Sequence, residues 1–339
     1  MNASRYFRLF AIVGMTFAAG CDVNIGDLID DVDDVLEPND ASLTNYATNT
    51  GGASGLAFRP SDGAMFIVNQ EGLFGPINEG DDVSTMTPLG ATNLADPALF
   101  DQEQPGFTLA ITNDGEFWIG SSCCSTLGIV PPEGGDAEPF TDLLDGIDAA
   151  NIQTETLALV PDGFEGDQIQ PGQILVGADT SFSALAAVDP SDRSIIQMID
   201  NDADEETNRD AHHLTFGLDG NLYSSRASSA LTAPGIQQID SGGTPEGLTG
   251  TEGTAANTFV GLANGDLLLN GTFREQGEFS ILTFNGLYFF NADSESISRA
   301  LTLENQDNTE HDEMVIGPDG TIYMTLPASN RVVIVEDRR

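Results

Sequence analysis

Six times along the chain, an apolar pair or triplet leads through a short polar stretch containing Asp-Gly or Asn-Gly into a second apolar run. The first three copies run from Leu56-Ala57-Phe58 to Asp62-Gly63, from Leu109-Ala110-Ile111 to Asp114-Gly115, and from Leu157-Ala158-Leu159 to Asp162-Gly163. The others run from Leu214-Thr215-Phe216 to Asp219-Gly220, from Phe259-Val260 to Asn264-Gly265, and from Met314-Val315-Ile316 to Asp319-Gly320. Asp-Gly and Asn-Gly favour tight hairpins, because residues that tolerate positive φ let a turn match the right-handed twist of its strands. After the turns come short, nearly continuous apolar runs such as Met65-Phe66-Ile67-Val68, Phe117-Trp118-Ile119, Leu267-Leu268-Leu269 and Ile322-Tyr323-Met324. Runs of that kind suit strands buried on both faces.

A third apolar run follows in each unit, for example Leu73-Phe74, Leu185-Ala186-Ala187-Val188 and Val332-Val333-Ile334-Val335. A weaker fourth is clearest over Ile195–Ile199 and Ile297–Leu301. The turn glycines step by 52, 48, 57, 45 and 55 residues. Four short strands repeated at that interval predict an all-β chain, a six-bladed β-propeller of four-stranded antiparallel blades. The third unit carries Phe164 to Gly172 between its turn glycine and Ile174, and Pro171-Gly172 marks this stretch as an enlarged first turn. The last unit ends after its third strand, so its outermost strand is expected from the N-terminal side, over Ser42–Thr48. That arrangement closes the ring and leaves only short, protected edges.

Charge narrows the partners. The chain has 54 acidic and 11 basic residues among 339, and every basic one is arginine. So acidic a surface repels nucleic acid and anionic headgroups, which argues against direct nucleic-acid binding. It suits divalent cations, cationic ligands, or a solvated shell in salty surroundings.

Met1–Arg8 is short and polar with Arg5 and Arg8, and Leu9–Ala19 is apolar but too short to remain as a membrane span. It runs into Ala18-Ala19-Gly20-Cys21. That ending resembles the lipobox of bacterial lipoproteins, which implies cleavage before Cys21 and lipidation of its thiol. An ordinary secretory signal followed by an incidental cysteine is the alternative, and both readings export the protein. The expected organisation is a signal peptide over 1–20, an acidic tether over 21–41 and a propeller over 42–339, with a monomer expected in the cell envelope. The tether reads either as an acidic amphipathic helix ending at Pro38 or as a flexible spacer extended by Asp30, Asp31, Asp33 and Asp34. Two further cysteines, Cys123 and Cys124, are adjacent: a vicinal disulfide, or two inert thiols, fits an exported chain better than a two-ligand metal site.

In a propeller the inner strands converge on a central channel. Aligned on the turn glycines, the residues just before the first apolar triplets are Gly55, Thr108, Thr156, His213, Thr258 and Glu313. One step earlier stand Ser54, Phe107, Glu155, His212, Asn257 and Asp312, with His311 before the last. All three histidines fall at this level. Glu155, His212, His213, Asn257, His311, Asp312 and Glu313 are therefore the candidate channel residues. Their oxygens could hold Ca²⁺, a His–Glu pair could serve as base and acid, or the set could line a wet channel. The acidic run at Asp200, Asp202 and Asp204 is no EF-hand, because Glu205 and Ala211 stand where glycine and a bidentate acid are needed. No G-x-S-x-G, P-loop or H-E-x-x-H occurs, and the single tryptophan, Trp118, reads as core.

The unit GLAFRPSDGAMFIV (55–68), echoed in HLTFGLDGNLYSS (213–225) and EMVIGPDGTIYMT (313–325), resembles NHL-repeat and gluconolactonase-like propellers. The gluconolactonase-like resemblance implies a calcium ion held by a glutamate before an inner strand with asparagine and aspartate from other blades. Glu155 or Glu313, with Asn257 and Asp312, would supply that set here. Two functions follow: a membrane-anchored recognition propeller for a small molecule, glycan or protein, or a Ca²⁺-type hydrolase or lyase acting on a small molecule.

Overall fold

The computed structural model describes residues 41–96, 99–100, 106–122, 124–140, 153–164, 166, 169–179, 184–200, 213–225, 235–240, 245–252, 254–276, 281–303 and 313–338. These form six antiparallel sheets, each one blade of a ring. Blade 1 contains Gly55–Phe58, Met65–Asn69 and Gly72–Ile77. Blade 2 contains Phe107–Ile111, Phe117–Ser121, Cys124–Val130 and Glu138–Phe140. Blade 3 contains Gln153–Leu159, Ile174–Asp179, Ala184–Val188 and Ile195–Asp200. Blade 4 contains His213–Phe216, Leu222–Ser225, Ile236–Ile239 and Pro245–Gly247. Blade 5 contains Thr254–Gly261, Leu267–Gln276, Ile281–Asn291 and Ser296–Thr302. Blade 6 contains Met314–Ile316, Ile322–Leu326 and Arg331–Asp337, and its outermost strand is the N-terminal Ala41–Thr48. The expected ring closure across the chain's two ends is thus present: Ala41 pairs with Asp337 and Thr48 with Arg331.

One blade corrects the expected pattern. Blade 1 has three strands, and the fourth shrinks to one bridge, Leu73 to Gly90. Pro88 has no N–H to give a ladder. Gly90 also lies against the Gly135 backbone, so a Cβ there would collide with the Gly135 carbonyl oxygen. The segment crosses to blade 2 instead, with the Ala91 N–H donating to the Gly135 carbonyl at 2.6 Å. Asn93 completes the bridge from its side chain, donating to the Ala137 carbonyl at 3.0 Å and accepting from the Ala137 N–H at 2.8 Å. The enlarged turn of blade 3 is as expected: Leu159 ends one strand, Ile174 starts the next, and Val160 and Gln173 close the loop.

The apolar core is divided into layers between blades, which is why the strands read as continuous apolar runs. Phe66 and Val68 meet Phe117 and Ile119 between blades 1 and 2, and Trp118 and Ile129 meet Ile174 and Val176 between blades 2 and 3. Leu175 and Leu185 meet Leu214 and Leu222 between blades 3 and 4, and Tyr223 meets Phe259 and Leu269 between blades 4 and 5. Leu268 and Phe289 meet Met314 and Met324 between blades 5 and 6, and Tyr323 and Val332 meet Leu56 and Ile67 where the ring closes. Each large side chain buried this way contributes about 1.5–3 kcal/mol.

The Asp-Gly turns also touch around one face. The Asn113 amide donates to the Asp162 carboxylate at 3.3 Å, and the Leu218 N–H donates to the Gly261 carbonyl at 3.0 Å. Arg193 of blade 3 reaches blade 2, where its guanidinium donates twice to the Glu116 carboxylate (2.7 and 2.6 Å) and lies 4.9 Å from the centre of the Trp118 ring. The Trp118 indole N–H donates to the same carboxylate at 2.8 Å.

Candidate functional site

At the end of the disc where the inner strands begin, one side chain per blade reaches the backbone of the next blade. Ser54 Oγ accepts the Phe107 N–H at 2.7 Å between blades 1 and 2. Thr108 Oγ1 accepts the Leu157 N–H at 3.1 Å, and Thr156 Oγ1 accepts the Leu214 N–H at 3.1 Å. The His213 Nε2 lies 3.2 Å from the Phe259 carbonyl oxygen between blades 4 and 5. Thr258 Oγ1 accepts the Met314 N–H at 2.8 Å between blades 5 and 6. Thr325 closes the circle, its hydroxyl donating to the Ser54 carbonyl at 3.1 Å while accepting the Glu313 N–H at 2.8 Å. Every junction therefore carries a hydrogen bond at hub level. A buried bond of this kind contributes about 0.5–1.5 kcal/mol net, and an unpaired N–H left behind costs more.

These are largely the positions that the turn-glycine alignment singles out. Blade 1 carries Gly55 there, with no side chain to reach across, and Ser54 one residue earlier takes the role. Thr325 lies on a second strand, where the repeat gives no signal, and only the register shows it.

His213 is buried and stands edge-on to Phe259 at 5.2 Å between ring centres. A carbonyl can only accept, so Nε2 carries the proton in this bond. The Thr258 hydroxyl oxygen, 3.4 Å from the same nitrogen, then sits beside that N–H as a weaker second acceptor. Glu313 is buried as well, and burial pushes its carboxyl well above the usual range, opposed by a hydrogen bond from the Thr108 hydroxyl. That bond links blade 6 to blade 2 past Gly55.

Asn257 and Glu155 share a different feature. In blade 5, Ala256 pairs with Gly271 and Thr258 with Asn270, so Asn257 is an extra residue outside the ladder. In blade 3, Thr154 pairs with Ala178 and Thr156 with Gly177, so Glu155 is the extra residue. Both are bulges immediately before a stapling threonine, and bulges re-aim side chains and concentrate next to functional sites. Asn257 is half-buried although Ala256 and Thr258 on either side are buried. Neither bulge is visible in the sequence, because a bulge is defined by the partner strand.

His212, His311 and Asp312 lie outside the described residues, as does Cys123, and only the backbone of Glu155 and Cys124 is described. The structure thus brings Glu313 to Thr108 and His213 to Phe259 and Thr258. Among the described residues, no three His, Cys, Asp or Glu side chains converge on a common point that could hold a metal ion. Of the calcium set of Glu155, Asn257, Asp312 and Glu313, the described side chains are Glu313, buried against the Thr108 hydroxyl, and Asn257, one position before the blade 5 staple.

No protein-family model matches the chain, and no curated protein matches it in sequence. Solved structures resemble it in shape. A streptogramin B lyase is 14% identical over 87% of this chain and 97% of its own, with a TM-score of 0.49. Virginiamycin B lyase from Staphylococcus aureus is 14% identical over 87% and 98%, with a TM-score of 0.48. The extracellular domain of a putative one component system from B. thetaiotaomicron is 15% identical over 86% of this chain and 39% of that one, with a TM-score of 0.47. The six-bladed fold itself rests on the strand ladders described above, and a shared fold does not transfer chemistry.

Proposed function

We propose that the protein is an exported recognition module, held at the cell envelope by a lipid on Cys21, that binds a small molecule, glycan or protein at the channel mouth. The observation that carries this reading is the division of roles along the inner strands. Thr108, Thr156 and Thr258 tie neighbouring blades together, while bulges take Glu155 and Asn257, each one residue before a staple, out of the ladder. A ring fixed by its own hydrogen bonds, with polar residues outside the ladder one position before its staples, suits a preformed binding site. The NHL-like repeat pattern agrees with such a module. The alternative, a Ca²⁺-type hydrolase or lyase of the gluconolactonase-like kind, needs a free base and acid. Of the two described candidates, His213 turns Nε2 to the Phe259 carbonyl, and burial raises the Glu313 carboxyl well above its usual range.

Thermal-shift screening of the purified protein against sugars, oligosaccharides and peptides, with and without CaCl₂, tests the reading. A ligand that raises the melting temperature of wild type but not of Asn257→Ala is the expected result. Turnover of that ligand, or one stoichiometric metal ion lost in Glu313→Gln, would favour the enzyme instead. Cys21→Ser is expected to move the protein from the membrane to the soluble fraction, and continued membrane association would remove the anchor from the proposal.

A further inference from the structure

Strand direction gives the disc two distinguishable faces, and the N-terminal strand fixes which one the preceding chain joins. In blade 6, Ile316 pairs with Ile322, Ile322 with Val335 and Val335 with Leu43. These four residues form a row just inside the Asp319-Gly320 turn. Ala41 pairs with Asp337, two residues further toward that turn, whereas Thr48 pairs with Arg331 at the level of Leu326. The same polarity holds around the ring. Turn residues meet turn residues, as in Asn113 with Asp162, Leu218 with Gly261, and Pro318 beside Gly63. Inner-strand starts meet inner-strand starts through the staples at Thr108, Thr156 and Thr258. The chain therefore enters the fold at the turn face, and the hub mouth with Asn257 and Glu313 opens at the other. Seven residue steps from Ala41 to Thr48, at ~3.3 Å each, separate the two faces by about 23 Å.

We propose that the anchor holds the turn face toward the membrane and presents the hub mouth to the surroundings. The proposal rests on lipidation at Cys21, twenty residues before Ala41. On the spacer reading of the tether, one of the two its sequence allows, a segment of that length spans about 22–27 Å root-mean-square, which is close to the thickness of the disc. Turning the mouth to the bilayer would require the spacer to run the full height of blade 6 along its outer edge, using up its typical span. The reading also has a consequence for lipid charge. Asp62, Asp114 and Asp319 are exposed on the turn face, so this face lies near a neutral surface and is repelled by an anionic one.

The test uses full-length lipidated protein on phosphatidylcholine vesicles carrying a nitroxide on the headgroup. Cys123→Ser and Cys124→Ser are combined first, and this background must melt like wild type. A dye is then placed at Leu218→Cys, where the native leucine is 54% exposed on the turn face, or at Ala328→Cys, exposed on the opposite face. With the faces ~23 Å apart, the dye at position 218 is expected to be quenched at least about twofold more strongly than the dye at 328. Equal quenching, or stronger quenching at 328, overturns the orientation. Adding Cys21→Ser should abolish vesicle binding and quenching at both positions. If binding persists, it is the lipid anchor that fails, and the orientation argued from it falls for that separate reason.

Discussion

Two threonines four residues apart on the inner strand of blade 5 should respond to the same substitution with opposite signs. Thr258 and Thr254 are both buried, and valine matches threonine in shape while replacing the hydroxyl by a methyl group. Thr258 Oγ1 accepts the Met314 N–H at 2.8 Å, and Met314 is itself 1% exposed, so water cannot replace the lost acceptor. Thr258→Val therefore strands a buried donor, at a cost of about 1–3 kcal/mol. At roughly 2 °C per kcal/mol for a domain of this size, the melting temperature falls by ~2–6 °C. Thr254 Oγ1 is buried with no hydrogen-bond partner, so Thr254→Val relieves a desolvated hydroxyl and should be neutral or stabilising by up to about 1 kcal/mol. Thr258→Ser keeps the oxygen and loses the methyl, Thr258→Ala loses both, and the difference between these two should repeat the hydroxyl's contribution. Urea unfolding followed by far-ultraviolet circular dichroism measures all four variants. The hub staple would be refuted if Thr258→Val stayed within about 0.5 kcal/mol of wild type, the range of an ordinary surface change. The same conclusion would follow if Thr254→Val proved as costly.

Glu313 sets a pH dependence. Its folded carboxyl titrates well above the ordinary value of 4.5, so the folded state keeps a proton that the unfolded chain releases, and stability falls as pH rises from there toward the folded value. Glu313→Gln should remove this contribution, gaining over wild type in urea melts at pH 8 and converging with it near pH 4. Arg193→Ala should cost about 1 kcal/mol, from a partly exposed ion pair and a cation–ring contact, and should shift the emission of Trp118, the only tryptophan. An unchanged emission spectrum would separate Arg193 from that ring. Gly134→Ala combines a positive φ of 89° with a Cβ driven into the Leu89 carbonyl, and should destabilise by ~2 kcal/mol or more by thermal melting. A melt like wild type would show that the crossing between blades 1 and 2 yields freely.

What could be read from the chain, and what could not, divides by whether the partner strand matters. Asp62-Gly63 and its five counterparts fix the turn of each blade locally, so the number of blades, the enlarged turn of blade 3 and the closing strand at Ala41–Thr48 were all legible. The fourth strand of blade 1 was not, because Pro88 and Gly90 look like ordinary loop residues until Gly135 is seen against them. The hub shows the same division within single positions. Aligning the repeats correctly gathered Thr108, Thr156, His213, Thr258 and Glu313 at one level, yet residue type could not separate a staple from a ligand. Threonine and histidine serve either purpose, and the difference lies in which backbone group stands opposite. Glu155 and Asn257 reverse the case. They sit one residue off the stapling level, and a bulge in each strand takes that residue out of the ladder. Two bulges at equivalent places, in blades 3 and 5, each next to a threonine already committed to the neighbouring blade, point to a purpose beyond closure. A staple needs only the threonine. The extra residue lengthens the strand and forgoes a ladder bond without adding to the ring's closure, and it is on this feature that the proposed binding site is built.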